Sequence, residues 1–150
     1  MFDSVIILCT GNICRSPMAA GLLQHLVHLR GHGPQVDSAG LRALVGAPAD
    51  PVAVSLLAER GINISAHRAR QANEELLRRH ALILVMEHTQ QEFVESTWPA
   101  LHGRVFRWGH WQDFDVTDPY SRDESAFRET LSAIDRGLAG WTKKLGIADV

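Results

Sequence analysis

The apolar run Val5-Ile6-Ile7-Leu8 passes without a spacer into Cys9-Thr10-Gly11-Asn12-Ile13-Cys14-Arg15, and Ser16-Pro17 then opens a helix-like pattern. A strand that turns this tightly into a helix points to an open α/β arrangement, where sites form beyond the carboxyl ends of the strands. Cys9 and Arg15 enclose the turn, so a thiol and a guanidinium can face one oxyanion, the sulfur beneath it and the fork around its oxygens. The backbone N–H groups of the turn can supply further donors.

Each residue type in the turn has a physical use. Gly11 and Asn12 are the types that best tolerate left-handed backbone. Ser16 and Pro17 read as an N-cap and a first helical residue, which would aim the positive end of a helix at the loop. Those influences predict a Cys9 thiolate at neutral pH, because helix termini and adjacent cations lower cysteine pKa values from roughly 8.5 into a range of about 3.5 to 7.5. A single cysteine at a strand end is more often a small buried hydrophobe. Here Arg15 and the Gly11-Asn12 pair stand in register with it, and they favour a nucleophile.

Elements can be read coarsely along the remaining chain. A strand over 4–8 leads through the Cys9 loop to a helix near 17–30, with Ala19, Leu22, Leu23 and Leu26 on one face. A short strand, Gln35-Val36-Asp37-Ser38, precedes Ala39-Gly40, and Asp50-Pro51 starts a helix running to Gly61. Asn73 is placed to cap a further short helix. The unbroken apolar stretch Ala81-Leu82-Ile83-Leu84-Val85-Met86 suits a strand covered on both faces. A helix near 88–97 ends before Pro99, and Arg104-Val105-Phe106-Arg107-Trp108 forms a fourth strand. The last helix carries Phe127, Leu131, Ile134, Leu138, Trp141 and Leu145 at alternating steps of four and three. Gly137 and Gly140 each weaken that helix by roughly 1 kcal/mol relative to alanine, so packing must hold it. Strands alternating with helices predict right-handed crossovers and a mainly parallel, doubly wound sheet.

The 150 residues suit one domain spanning 1–150. A formal charge of -2 argues against general nucleic-acid binding. Apolar runs fall far short of a membrane span and no leader-like segment precedes the first strand, so the expectation is a soluble cytoplasmic protein without membrane insertion. Cys9 and Cys14 are the only cysteines, and their place in one loop suits a reducing compartment. Cys14 reads either as a tolerated small residue or as the partner of a reversible disulfide that shields Cys9 from overoxidation. His25, His28 and His32 share one stripe of the first helix without a cysteine or clear carboxylate partner, so they read as a polar face and no metal site is expected.

The string Cys9 to Pro17, with Asp118-Pro119-Tyr120 far downstream, resembles the low-molecular-weight protein tyrosine phosphatases. Ser38-Ala39-Gly40, Ala43-Leu44-Val45-Gly46, Asp50-Pro51, Ala69-Arg70-Gln71 and Gly109-His110-Trp111 resemble the bacterial branch acting on tyrosine autokinases of capsule and exopolysaccharide export. The resemblance implies a three-layer α/β fold of the phosphotyrosine phosphatase I type, a four-stranded parallel sheet flanked by helices, and a reaction needing no cofactor. It implies that Cys9 attacks phosphorus and forms a cysteinyl-phosphate, with Arg15 and the amides of Thr10, Gly11, Asn12, Ile13 and Cys14 holding the oxygens. Ser16 would donate to the sulfur, and Asp118 would act as acid and then base. Asn12 takes the place of a strained loop asparagine supported by Ser38 and His67, while Leu44 and Tyr120 take the place of the walls around the substrate ring.

Ala20 departs from the pattern, since the family commonly has glutamate there. Asp113 and Asp115 are rivals of Asp118 for the acid role. Trp108 and Trp111 read as packing. An arsenate reductase of this fold would need resolving cysteines after Cys14, and the chain has none. An arginine phosphatase of the family would typically carry threonine in place of Ile13. A binding module without turnover would not need Cys9, Arg15, Ser16 and Asp118 together.

Overall fold

A computed structural model describes residues 2–147. The strands are β1 (Ser4–Cys9), β2 (Gln35–Gly40), β3 (Leu82–Val85) and β4 (Val105–Arg107). The helices are α1 (Arg15–Arg30), α2 (Pro51–Ala58), α3 (Glu74–Arg78), α4 (His88–Thr97) and α5 (Glu124–Lys144), with a 3-10 turn at Pro99–Leu101. All strand pairs are parallel, in the order β2-β1-β3-β4. The expected four-stranded parallel sheet flanked by helices is therefore the observed fold.

Alternation along the strands divides the core into two layers. Val5, Ile7 and Cys9 face α1, α2 and α5 together with Leu82, Leu84 and Met86. Ile6 and Leu8 face the opposite layer with Ile83, Val85, Leu77 and Val94. Successive strand side chains point to opposite faces, so one uninterrupted apolar run can fill both layers. Val5, Ile6, Ile7 and Leu8 are fully buried, each worth about 1.5–3 kcal/mol relative to exposure. Sheet order reverses direction at β1, with β2 on one side and β3 on the other. The loops after β1 and β3 thus border the crevice where open α/β sheets bind ligands.

Several boundaries differ from the sequence expectation. β1 continues to Cys9 and β2 to Gly40, while β3 and β4 are shorter at both ends. The helix expected to reach Gly61 stops at Ala58. Asp50 caps that helix through Val52 N, and Asn73 caps α3 through Leu76 N. Ser16 is not an N-cap: α1 starts at Arg15 behind Cys14, and the Ser16 hydroxyl is turned toward Cys9 and Asn12 instead of the helix backbone. Among the described residues no helix is long and apolar enough to cross a membrane.

Candidate active site

The turn after β1 has its carbonyls and amides sorted. The carbonyls of Cys9, Thr10, Gly11 and Ile13 accept from Leu41 N, Arg42 N, Leu44 N and Asp50 N at 2.9, 2.9, 3.1 and 2.8 Å. The remaining one, Asn12 O, lies 2.6 Å from His67 Nε2. Five successive carbonyls therefore point outward into neighbouring loops. No acceptor among the described residues takes the N–H groups of Gly11, Asn12, Ile13 and Cys14. Those amides and the amino end of α1 form a concave nest of donors, the backbone arrangement that holds anions. Gly40 makes the close approach possible, because a Cβ there would stand 2.7 Å from Thr10 O.

Asn12 holds the curve. Its φ is 59° and it is wholly buried, a conformation that costs roughly 1–2 kcal/mol for a residue with a Cβ. Gly11 does not share it, so of the pair expected to be left-handed only Asn12 is. Asn12 Nδ2 donates to Ser16 Oγ at 2.7 Å and to Ser38 Oγ at 3.0 Å, and its Oδ1 accepts from Arg70 N at 3.0 Å. Since Ser16 Oγ accepts there, its own hydrogen is available for Cys9 Sγ, 3.0 Å away. His67 donates from Nε2, because a carbonyl can only accept. Burial pulls the pKa of His67 below the usual 6.5, against the opposing pull of that hydrogen bond.

Arg15 is 1% exposed. Its Nη1 donates to Glu87 Oε2 at 2.6 Å and to Val116 O at 2.9 Å. Its Nη2 lies 3.4 Å from Thr10 Oγ1 and 3.5 Å from Asp118 Oδ2. The Nε is buried without an acceptor among the described residues. Glu87, two residues past the end of β3 and the N-cap of α4, supplies the countercharge that lets a guanidinium be buried. Gln90 steadies this corner: Oε1 accepts from Met86 N and Glu87 N, and Nε2 reaches Thr10 Oγ1 at 3.3 Å. Sequence reasoning missed Glu87 and Gln90. The signal for Glu87 was an acidic residue just past the carboxyl end of an apolar strand, level in register with the start of the Cys9 loop.

Cys9, Thr10, Gly11, Ile13, Cys14, Arg15, Arg42, Leu44, Asp118 and Tyr120 line one cavity of about 180 Å³. Leu44 and Tyr120 are about half exposed at its walls. Asp118 Oδ1 accepts from Tyr120 N at 3.1 Å, which fixes the carboxyl group over the opening. The rival acids are engaged elsewhere, since Arg107 pairs with Asp113 and, at 3.0 Å, with Asp115. That pairing lowers the pKa of Asp113. Both cysteines are free and buried. Burial, with Asp50 next in effect, pushes the Cys14 thiol far above the usual cysteine range and leaves it protonated.

A larger open cleft of about 690 Å³ lies behind the loop, lined in part by Ala20, His25, His28, Ser38 and His67. Cys9, Arg15 and Asp118 do not line it; all three line the smaller cavity. Among the described residues no group of three His, Cys, Asp or Glu is placed to hold a metal. Trp108 lies buried under α5, and Trp111 packs against Gly140, both away from the cavity.

A four-stranded parallel α/β fold with a nest of free backbone amides around a cysteine defines a class of anion-binding α/β proteins. The family model described as low molecular weight phosphotyrosine protein phosphatase matches residues 4–148, and the chain belongs to that family of enzymes. It is 45% identical over 97% of its length, and 97% of the relative's, to the probable low molecular weight protein-tyrosine-phosphatase EpsP of Ralstonia nicotianae. Vibrio vulnificus Wzb in complex with benzylphosphonate superposes with a TM-score of 0.90 at 33% identity, covering 97% of this chain and 100% of that one. The YwlE arginine phosphatase, in a mutant form with a phosphorylated active-site serine, superposes at 0.86 and 31% identity, covering 94% and 96%.

Proposed function

We propose that the protein hydrolyses phosphotyrosine in other proteins through a cysteinyl-phosphate. The observation that carries this reading is the outward sorting of five carbonyls, which leaves the loop amides without acceptors around a cavity that Cys9 and buried Arg15 also line. Phosphoryl transfer gains most from positioned donors around the equatorial oxygens. In the first step the Cys9 thiolate attacks phosphorus, the bond from phosphorus to the phenolic oxygen breaks, and Asp118 gives its proton to the departing phenolate. In the second, the Asp118 carboxylate takes a proton from water, water oxygen bonds to phosphorus, and the phosphorus–sulfur bond breaks. The Ser16 hydroxyl stabilises the thiolate as it leaves. Asn12, held by Ser38 and His67, keeps the nest curved.

Benzylphosphonate bound to the Vibrio relative supports an aryl substrate, as do Leu44 and Tyr120, which line the cavity. The partner is a tyrosine-phosphorylated cytoplasmic protein. A tyrosine autokinase of polysaccharide export is the candidate, on the resemblance of Ala43-Leu44-Val45-Gly46 and Gly109-His110-Trp111 to that bacterial branch. The likeness to an arginine phosphatase supports a second reading, against which stands Ile13, an apolar residue on the cavity wall. Turnover of matched phosphotyrosine, phosphoarginine and phosphoserine peptides decides between them. Preference for phosphotyrosine is expected, and preference for phosphoarginine would overturn it.

A further inference from the structure

Besides Arg15, the cavity is lined by a second guanidinium, that of Arg42. The two are held in opposite ways. Arg15 is buried and neutralised by Glu87, whereas Arg42 is exposed and its side chain has no hydrogen-bond or ion-pair partner among the described residues. Several other exposed arginines are tied down: Arg60 to Asp135, Arg70 to Asp37, Arg128 to Glu59.

The base of Arg42 is fixed. Its N–H donates to Thr10 O at 2.9 Å, and Gln71 clamps the backbone on both sides, accepting from Ala43 N at 2.9 Å and donating to Leu41 O at 2.8 Å. An unpaired cation thus stands on a fixed backbone beside the nest. The acid lining the same cavity, Asp118, is already engaged by Tyr120 N and Arg15. A phosphoryl group seated over Cys9 would be served by the amides and Arg15, leaving the charge of Arg42 uncompensated.

Resting on the phosphatase reading, we propose that Arg42 forms a second anion subsite that selects substrates carrying a carboxylate or a second phosphate close to the target phosphotyrosine. Two residues of extended chain span about 7 Å, so the anion belongs within two residues of the phosphotyrosine. The contact lies at a solvent-exposed rim, where a pair of charges changes affinity by about fivefold at most and weakens as salt shortens the Debye length. Arginine also suits both planar carboxylate and phosphate by bidentate pairing.

The test uses phosphotyrosine peptides with Asp, Asn, Lys or phosphoserine two residues from the target. Wild type, Arg42→Gln, Arg42→Lys and Arg42→Glu are compared by kcat/KM, and by anisotropy-measured Kd in a Cys9→Ser background. Wild type should favour Asp over Asn by about three- to fivefold at low salt, mainly through KM. The ratio should fall to about one in Arg42→Gln, persist in Arg42→Lys and invert in Arg42→Glu. A larger ratio with phosphoserine than with Asp identifies a second phosphate as the preferred anion. An Asp to Asn ratio unchanged in Arg42→Gln, or an equal loss on every peptide, overturns the subsite. If wild type turns over none of the peptides, the phosphatase reading fails, while the Kd ratios still judge Arg42.

Discussion

The nest around Cys9 and the aromatic layer beneath α5 both rest on residues that are locally unfavourable, and each is stabilised differently. In the nest, left-handed Asn12 is held by polar contacts with Ser16, Ser38, Arg70 and His67. Each such bond contributes about 0.5–1.5 kcal/mol net, enough together to offset the backbone strain. In the layer, Gly137 and Gly140 let Trp108 and Trp111 lie against the helix backbone. Trp108 and Trp141 are buried and both indole N–H groups are satisfied, by Ile134 O at 2.8 Å and Trp108 O at 2.9 Å. Directional bonds keep one geometry, which positioned donors require. Ring packing supplies buried area without any constraint on the reacting atoms. Substitutions of the reacting groups in the first region should therefore change rate and leave stability nearly unchanged, and in the second the reverse.

The largest effect expected is from Cys9→Ser, which should lower aryl phosphate turnover by at least about 10⁴-fold, as loss of a nucleophile does. Phosphate or vanadate binding should survive in part, and the melting temperature should stay within about 2 °C. Wild-type turnover by that variant would sink the assignment of the nucleophile.

Asp118→Ala comes next. A phenol has a pKa of about 10, so its departure depends on a donated proton, and loss of a general acid costs about 10²–10⁴-fold. A nitrophenyl ester, whose leaving group needs less help, should lose far less. Single-turnover measurement of the proposed cysteinyl-phosphate's formation makes the comparison, because its hydrolysis would be common to all substrates. Equal losses across the leaving groups would make Asp118 structural.

Gly137→Ala probes the other region. Its Cβ would stand 2.3 Å from Trp108 Cδ1, and overpacking of this kind costs about 1–3 kcal/mol against a helix-propensity gain of about 1 kcal/mol. A melting temperature lower by about 2–6 °C is expected, with turnover per folded molecule within about twofold. Gly140→Ala should cost less, since Trp111, at 2.8 Å from that Cβ, is half exposed and can swing aside. A variant that melts normally but turns over slowly would erase the contrast between the regions.

The two regions were also unequally legible. Cys9, the loop and Arg15 are contiguous, so their juxtaposition follows from chain geometry alone. The sheet was readable for a similar reason: β1 and β3 are apolar runs whose alternation needs no partner to interpret. Ser16-Pro17 misled because a serine before proline fits a helix start, while the hydroxyl is recruited by Cys9 and Asn12. Glu87 and Gln90 stayed hidden because a Glu and a Gln at the start of a helix look like ordinary capping, and Arg15 lies 72 positions from Glu87 along the chain. Gly137 and Gly140 looked like weaknesses until the tryptophans were in place.

The smallest expected effect concerns the link between the nest and its outer support. Burial lowers the pKa of His67 below 6.5, so between the unfolded and folded values the unfolded chain holds more protons than the native one. Stability then falls as pH drops through about 6.5 and stops falling below the folded pKa. The bond to Asn12 O survives in both states, because Nε2 carries a hydrogen whether the ring is neutral or charged. The penalty is therefore the desolvation of a charge, and the nest keeps its shape while its support loosens slightly. Asp113, Asp123 and Glu59 have pKa values lowered from the carboxylate range, so they remain ionised throughout about pH 5.5–7.5 and add no slope there. Melting curves of wild type and His67→Gln across that interval isolate the effect. Wild type should lose more melting temperature than the variant on acidification. Parallel curves would show that proton uptake at His67 is not coupled to the stability of the nest.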